Sequence, residues 1–156
     1  MKTKVLAILA FAFLTAAASG KRAPVVSFPE PAVVELKVGG KTEATLTAHV
    51  QKGFHVQANP ASESYLIPTK LELQPADGIT TGKPIYPKGK PYRLKGASDD
   101  LSVYEGAIQI KIPLEAQATM KPGEHVLRGK LTYQACDERS CLPPASVPVE
   151  FQVQIN

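Results

Sequence analysis

The carboxyl-terminal stretch of the chain alternates apolar and polar residues with a period of two. Apolar side chains occupy every second position there, at Val147, Val149, Phe151, Val153 and Ile155. Successive side chains of an extended strand point to opposite faces, so this run predicts a β-strand with one face in a core and the other in solvent. The pattern therefore favours a β-rich fold.

Similar runs recur along the chain, and turn signals separate them. They read as further strands at 33–38, 44–50, 69–74, 107–114 and 125–135, and no segment shows a convincing helical period. Fourteen prolines and eleven glycines punctuate the sequence. About seven to nine short strands with frequent turns predict an all-β, antiparallel sandwich.

The first 18 residues are predicted to be a secretory signal peptide. Lys2 and Lys4 precede an apolar run that ends in small residues at Ala16–Ala18, which is the layout of a cleavable signal. Cleavage after Gly20 is the alternative. The run is shorter than the roughly 20 apolar residues that a transmembrane helix needs. We therefore expect a soluble, exported protein, in a compartment where disulfides form.

The mature chain is expected to hold one domain and to have no nucleic-acid partner. Residues 19–30 are predicted to be an N-terminal extension, and residues 31–156 the sandwich domain. The net charge of +4 includes two lysines of the signal peptide, so the mature chain is closer to neutral. Basic residues interleaved with aromatic ones, as in 82–96, can bind single-stranded nucleic acid. In a near-neutral exported protein we interpret this segment as a solvated loop, an edge strand kept soluble by lysines, or a lid.

The chain contains two cysteines, Cys136 and Cys141, separated by four polar residues. A bridge between them requires the chain to turn back, because bridged Cα atoms lie roughly 4.4–6.8 Å apart. So short a loop would stabilise a fold by only about 2 kcal/mol, against about 4.7 kcal/mol for a loop of ~100 residues. Small exposed rings are instead readily reduced and re-formed. The pair is predicted to be redox-active, with an inert local staple as the alternative.

A metal site is not expected. The cysteine spacing is not the C-x-x-C of zinc sites, and the three histidines, at positions 49, 55 and 125, are too scattered to nominate a set of ligands. No cofactor is predicted either.

Three segments of the chain carry a family resemblance. The cysteines lie in Tyr133-Gln134-Ala135-Cys136 and Cys141-Leu142-Pro143-Pro144; the other segments are 52–56 with 65–69, and 103–106 followed by alternating isoleucines. Together they resemble the N-terminal periplasmic domain of the thiol:disulfide interchange protein DsbD, over about residues 30–155. The cysteine loop is one residue shorter than in the best-known member of that family. The resemblance implies an immunoglobulin-like sandwich in the periplasm.

The resemblance also implies roles for individual residues. Cys141 corresponds to the exposed cysteine that forms mixed disulfides, and Cys136 to the resolving one. In that family a cap loop covers the cysteines until a partner docks, and here it falls within residues 87–103. Tyr92 is our candidate for the shielding residue, with Leu101 behind it.

Four further residues are predicted to support the cysteines. Tyr104 and Tyr133 are expected to pack beside the turn. Asp137 and Glu138 lie inside it with a single cation, Arg139. Thiolates are favoured by neighbouring cations and helix N-termini, so neither thiol is expected to be strongly acidic at rest.

These expectations define a function. A low-pKa thiolate on a thioredoxin-like protein or domain would reduce the disulfide, and the protein would pass the two electrons to oxidised periplasmic proteins through a mixed disulfide. It would act as a component of a protein-disulfide reductase, as a monomer, with a membrane electron-transfer protein supplying electrons in trans. One alternative is a narrower role in cytochrome c maturation. The other is a non-enzymatic, immunoglobulin-like binding module whose disulfide is structural.

Overall fold

Regular structure is entirely β in residues 24–29, 33–94 and 98–156, which the computed structural model describes. The predicted signal peptide lies outside them. Twelve strands follow one another: β1 (Val26–Ser27), β2 (Val34–Leu36), β3 (Lys41–Val50), β4 (His55–Gln57), β5 (Lys70–Leu73), β6 (Ile79–Thr81), β7 (Lys90–Tyr92), β8 (Leu101–Tyr104), β9 (Ala107–Ala116), β10 (Gly123–Tyr133), β11 (Ala135–Cys136) and β12 (Ala145–Ile155). The all-β prediction is confirmed. The predicted number of strands is too low, because strands of two to four residues are too short for alternation to reveal them.

The strands form three four-stranded sheets. The first sheet has the order β1-β3-β9-β6, the second β2-β12-β10-β5 and the third β11-β4-β8-β7. Neighbouring strands are antiparallel except β2 and β12, which are parallel. Side chains from all three sheets meet in one apolar core. The predicted immunoglobulin-like sandwich is confirmed, and the third sheet holds the cysteine strand.

The long strands form where the alternation is cleanest. Strands β3 and β9 pair so that alanine or leucine residues of β3 lie opposite isoleucines of β9 on the core side of the sheet. The pairs are Ala44 with Ile112, Leu46 with Ile110, and Ala48 with Ile108. All six side chains are buried. Strand β12 brings the apolar residues of the carboxyl-terminal run to the same core, against β10.

The sandwich begins before the predicted boundary at residue 31. Val26 and Ser27 lie in the predicted N-terminal extension, yet they form β1 and pair with Val50 and His49 of β3. Val26 is completely buried. Two residues are too few to show an alternating pattern, so this strand could not be predicted from periodicity.

No helix in the described parts of the chain is long and apolar enough to cross a membrane.

Candidate functional site

The two cysteines close a tight turn, which we call the cysteine turn, at residues 135–142. Cys136 ends β11, directly after β10, and it is bridged to Cys141 with the two Cα atoms 3.9 Å apart. The Leu142 N–H donates a hydrogen bond to the Ala135 carbonyl at 2.8 Å. The chain therefore doubles back as a short hairpin, closed by a backbone hydrogen bond and by the disulfide.

Asp137 holds the cysteine turn from within. Its Oδ1 accepts hydrogen bonds from the N–H groups of Arg139 at 2.7 Å and Ser140 at 2.8 Å. Aspartate suits this position because its short side chain reaches backbone N–H groups two and three residues ahead. The same two N–H groups lower the pKa of the Asp137 carboxyl. The carboxylate is therefore ionised at neutral pH, close to the bridge.

The two cysteines differ in their access to solvent. Cys141 is exposed, whereas Cys136 is 1% exposed. Strand pairing places Cys136 directly opposite His55 of β4. One member of the pair is therefore available to a partner, and the other is held inside the protein.

Two buried polar side chains lie on the face of the third sheet that carries Cys136. His55 and Gln57 are two residues apart on β4, so they share this face. Gln57 Nε2 donates a hydrogen bond to Cys136 Sγ at 3.6 Å. Within the described residues, Gln57 Oε1 and His55 Nε2 have no hydrogen-bond partner. The bridge thus has a polar, water-excluded neighbourhood on its buried side.

The environment of His55 keeps its imidazole neutral. Burial lowers its pKa, although the carboxylates of Glu105 and Asp137 act in the opposite direction. Desolvation disfavours the charged imidazolium, and here it outweighs the attraction of the two acids.

The predicted cap residues lie in the third sheet. Tyr92 ends β7 and is half-buried, and its ring stacks on His55 with the ring centroids 4.1 Å apart. Leu101 is its direct partner on β8. Cys136 is the strand partner of His55, so His55, which contacts Tyr92, also lies beside the buried cysteine. The part of the predicted cap at 95–97 lies outside the described residues.

The two predicted supporting tyrosines are both buried, and both hydroxyls bind backbone groups. The Tyr104 hydroxyl donates to the Pro87 carbonyl at 2.9 Å and accepts from the Asn59 N–H at 3.1 Å. The Tyr133 hydroxyl accepts from the Val26 N–H at 3.3 Å. Burial raises the pKa of Tyr104. Tyr104 thus ties β8 to two loops, and Tyr133 ties β1 to the strand that leads into the cysteine turn.

Two clefts flank the cysteine turn. An apolar groove of about 580 Å³ is lined by Phe54, Tyr133, Ala135, Leu142 and Pro143, among others. A more polar cleft of about 350 Å³ is lined by residues that include Lys52, His55, Tyr92, Glu105 and Glu138. Glu138 is exposed. The exposed cysteine therefore lies in a surface with an apolar side and a charged side.

Sequence reasoning missed the two polar neighbours of the bridge. In the sequence, His55 is part of the family-like segment 52–56 and one of three scattered histidines, and no role is predicted for Gln57. Both lie in a three-residue strand whose residues are all buried, so the polar-apolar-polar order of β4 looks like an ordinary half-exposed strand. Only the pairing of β4 with β11, far along the chain, reveals their position.

Among the described residues, no group of three or more His, Cys, Asp or Glu side chains could hold a metal ion.

Comparison with protein families gives one extended match. The family model described as the thiol:disulfide interchange protein DsbD, N-terminal, matches residues 22–152. No curated protein sequence matches the chain significantly.

Several solved structures resemble the fold. The reduced DsbD N-terminal domain of Neisseria meningitidis is 20% identical, with 69% of this chain and 74% of that chain covered and a TM-score of 0.44. The complex between the DsbD and PilB N-terminal domains of the same organism contains a chain that is 23% identical. The match covers 70% of this chain and 73% of that chain, with a TM-score of 0.44. The N-terminal periplasmic domain of ScsB from Proteus mirabilis is 12% identical, with 75% of this chain and 42% of that chain covered and a TM-score of 0.52. This last similarity supports the sandwich fold and spans less than half of the ScsB chain.

Proposed function

The chain belongs to the family of DsbD N-terminal domains, and on this basis we propose that it carries electrons between exported proteins in the periplasm. Membership of this family implies involvement in thiol–disulfide exchange. In the proposal, a thioredoxin-like protein or domain reduces the Cys136–Cys141 bridge, with a membrane protein as the source of the electrons. The reduced pair then reduces oxidised periplasmic proteins.

The unequal exposure of the two cysteines is the observation that carries this proposal. Exchange begins when a thiolate attacks one sulfur of a disulfide, so that sulfur must be reachable. Cys141 is exposed and Cys136 is buried. We assign the attacked sulfur to Cys141 and the resolving role to Cys136.

The exchange proceeds in two steps that conserve electrons. A thiolate of the partner attacks Cys141 Sγ, a mixed disulfide forms, and the electron pair of the broken S–S bond leaves on Cys136 as a thiolate. The partner's second cysteine, as a thiolate, then attacks the sulfur of the partner's first cysteine in the mixed disulfide, and Cys141 is released as a thiolate. The partner's dithiol becomes a disulfide, two electrons pass to this protein, and its two cysteines take up two protons. Reduction of an oxidised acceptor runs through the same steps in reverse.

The charges around the cysteine turn support a passive role for its thiols. Asp137 is ionised and binds backbone N–H groups of the turn itself, and Glu105 and Glu138 line the adjoining cleft. Nearby negative charges disfavour thiolates. We therefore expect the partner to supply the reactive thiolate when the bridge is reduced, and the reduced protein to react slowly with chance oxidants.

Tyr92 and Leu101 are proposed to shield the site from the side of β7. Tyr92 covers the His55 ring, and His55 is the strand partner of Cys136. This arrangement excludes solvent from the buried sulfur while leaving Cys141 exposed.

The reduction potential of the Cys136–Cys141 pair tests the function. We expect a value between about −180 and −270 mV, where exchange proteins lie, when the folded protein is equilibrated in redox buffers and its thiols are trapped. A value below roughly −300 mV would mark the bridge as structural. That result would favour an immunoglobulin-like binding module instead.

The assignment of the two cysteines is tested by single replacements. With Cys136→Ser, Cys141 should form a trapped mixed disulfide with an oxidised thioredoxin-like protein, visible on a non-reducing gel. With Cys141→Ser, the buried Cys136 should form little or none. The opposite result would reverse the two roles.

A further inference from the structure

The side-chain amide of Gln57 lies against the buried sulfur of the bridge. Gln57 is completely buried, and its Nε2 donates to Cys136 Sγ at 3.6 Å. A disulfide sulfur carries no hydrogen, so only the NH₂ end of the amide can bind it. The other end, Oε1, is buried without a hydrogen-bond partner among the described residues.

A structural role does not explain this amide. A buried polar atom without a partner is destabilising, and an apolar residue of the same length would avoid that cost. The backbone of Gln57 is anchored independently of its side chain, because its carbonyl accepts from Thr69 Oγ1 at 2.6 Å and from the Thr69 N–H at 3.1 Å. Unpaired buried groups in native proteins call for an explanation, and redox function is one.

We propose that Gln57 is a positioning residue that favours the reduced form of the pair by binding Cys136 after the bridge opens. The inference deepens the proposed exchange function and rests on it. When the dithiol of a thioredoxin-like partner opens the bridge, Cys136 leaves as a thiolate. The Nε2–H group then binds a charged sulfur, and hydrogen bonds to charged acceptors are about twice as strong as neutral ones.

Protonation of Cys136 gives the amide a second use. A thiol S–H is a donor, whereas a disulfide sulfur is only an acceptor. Once the amide turns, Oε1 can accept the Cys136 S–H and thereby gain the partner that it lacks in the oxidised protein. Both products of bridge opening are therefore better matched to Gln57 than the bridge itself is.

Other groups around Cys136 affect its ionisation as well. They are His55 from β4, Tyr92 stacked on it from β7, Asp137 and Glu138 from the cysteine turn, and Lys52 and Glu105 from the polar cleft. None of them is altered by a substitution at Gln57, so a comparison of variants at this one position isolates the contribution of the amide.

The test compares Gln57→Leu, Gln57→Glu and the control Thr69→Val in the full chain. Thr69→Val removes the buried hydrogen bond from Thr69 Oγ1 to the Gln57 carbonyl and leaves the contact between Gln57 and Cys136 Sγ in place. Two quantities are measured: the equilibrium constant for reduction by glutathione, and the pKa of Cys136 in the Cys141→Ser background, from the ultraviolet absorbance of the thiolate.

Gln57→Leu should lower the equilibrium constant for reduction roughly two- to tenfold, the effect of one net hydrogen bond, and should raise the pKa of Cys136. Gln57→Glu keeps the length of the side chain and replaces NH₂ by a carboxylate oxygen, so it should raise that pKa further. Thr69→Val should leave both quantities at their wild-type values.

The two proposals fail separately. Equal Cys136 pKa values in wild type and Gln57→Leu would overturn the role of Gln57. If Gln57→Leu does not fold, a Cys136 pKa in Gln57→Glu equal to that of wild type would overturn it instead. A wild-type bridge that stays oxidised in redox buffers that reduce known exchange proteins would overturn the exchange function, whatever the variants show.

Discussion

His55 is buried in the third sheet with its imidazole held neutral. The residue is 2% exposed and its ring packs against that of Tyr92, and burial lowers its pKa below the ordinary value of 6.5. The unfolded chain therefore binds a proton more readily than the folded protein does. Stability is at its full value above pH 6.5 and is lost as the pH falls from there towards the lower, folded pKa.

This linkage predicts a pH-dependent stability that one substitution removes. The free energy of unfolding should be smaller at about pH 5.5 than at about pH 7.5 in the wild type, and the difference should shrink in His55→Phe. Urea denaturation at the two pH values measures it. His49→Gln, at an exposed position on β3, is the control and should keep the wild-type difference. An unchanged difference in His55→Phe would contradict the prediction.

Asp137 acts on the closure of the bridge. Its carboxylate binds two backbone N–H groups inside the cysteine turn, so it restricts the turn to conformations in which the two sulfurs are close. Asp137→Ala should shift the equilibrium with glutathione towards the reduced form, roughly two- to fivefold, because the open turn gains freedom. Asp137→Asn keeps an acceptor oxygen and should shift it less. Glu138→Ala, at the exposed neighbouring position, serves as the control. An equal shift in Glu138→Ala would contradict the role of the Asp137 hydrogen bonds in closing the bridge.

At the level of elements, predictability follows strand length. Strands β9 and β12 are ten and eleven residues long, and their alternation predicted the buried face of each and all but two residues of its length. The strands of the third sheet show no comparable alternation of apolar and polar residues. Its strands have two to four residues, and β4 has both faces buried, so pattern alone cannot orient it.

The candidate site also has one part that could be predicted from the sequence and one part that could not. The cysteine turn could be predicted because its components are neighbours in sequence: two cysteines, an aspartate and a polar loop. The neighbours of Cys136 on the buried side come from β4, 79 residues away in the case of Gln57. Contacts of that kind depend on sheet pairing, which local composition does not encode.

The edge strand β7 is predicted to control access to the buried side of the bridge. Tyr92→Ala removes the ring that covers His55, and solvent should then reach the polar cleft beside Cys136. In the Cys141→Ser background, alkylation of Cys136 by iodoacetamide should become several-fold faster. Tyr92→Phe retains the stacked ring and should react at the wild-type rate. If both variants react alike, the shielding role assigned to Tyr92 is wrong.

At the scale of the whole molecule, most of the core lies apart from the bridge. Side chains of the first and second sheets supply most of the buried apolar residues, and both cysteines lie in a turn outside those sheets. The proposed electron carrier would have to remain folded in both oxidation states, and this separation of core and site is compatible with that requirement. A binding module with a structural disulfide would lose part of its fold on reduction.

Because most of the core lies apart from the bridge, reduction is expected to change the stability of the fold only slightly. Reducing the bridge should lower the free energy of unfolding by at most about 2 kcal/mol, because it closes a loop of only a few residues. Ile110→Ala, at a completely buried position on β9, should lower it by about 2–5 kcal/mol. Urea denaturation of the oxidised protein, the reduced protein and the Ile110→Ala variant gives both values. If reduction costs more than the core substitution, the bridge is a structural staple, and the sandwich could not serve as an electron carrier that cycles between two folded states.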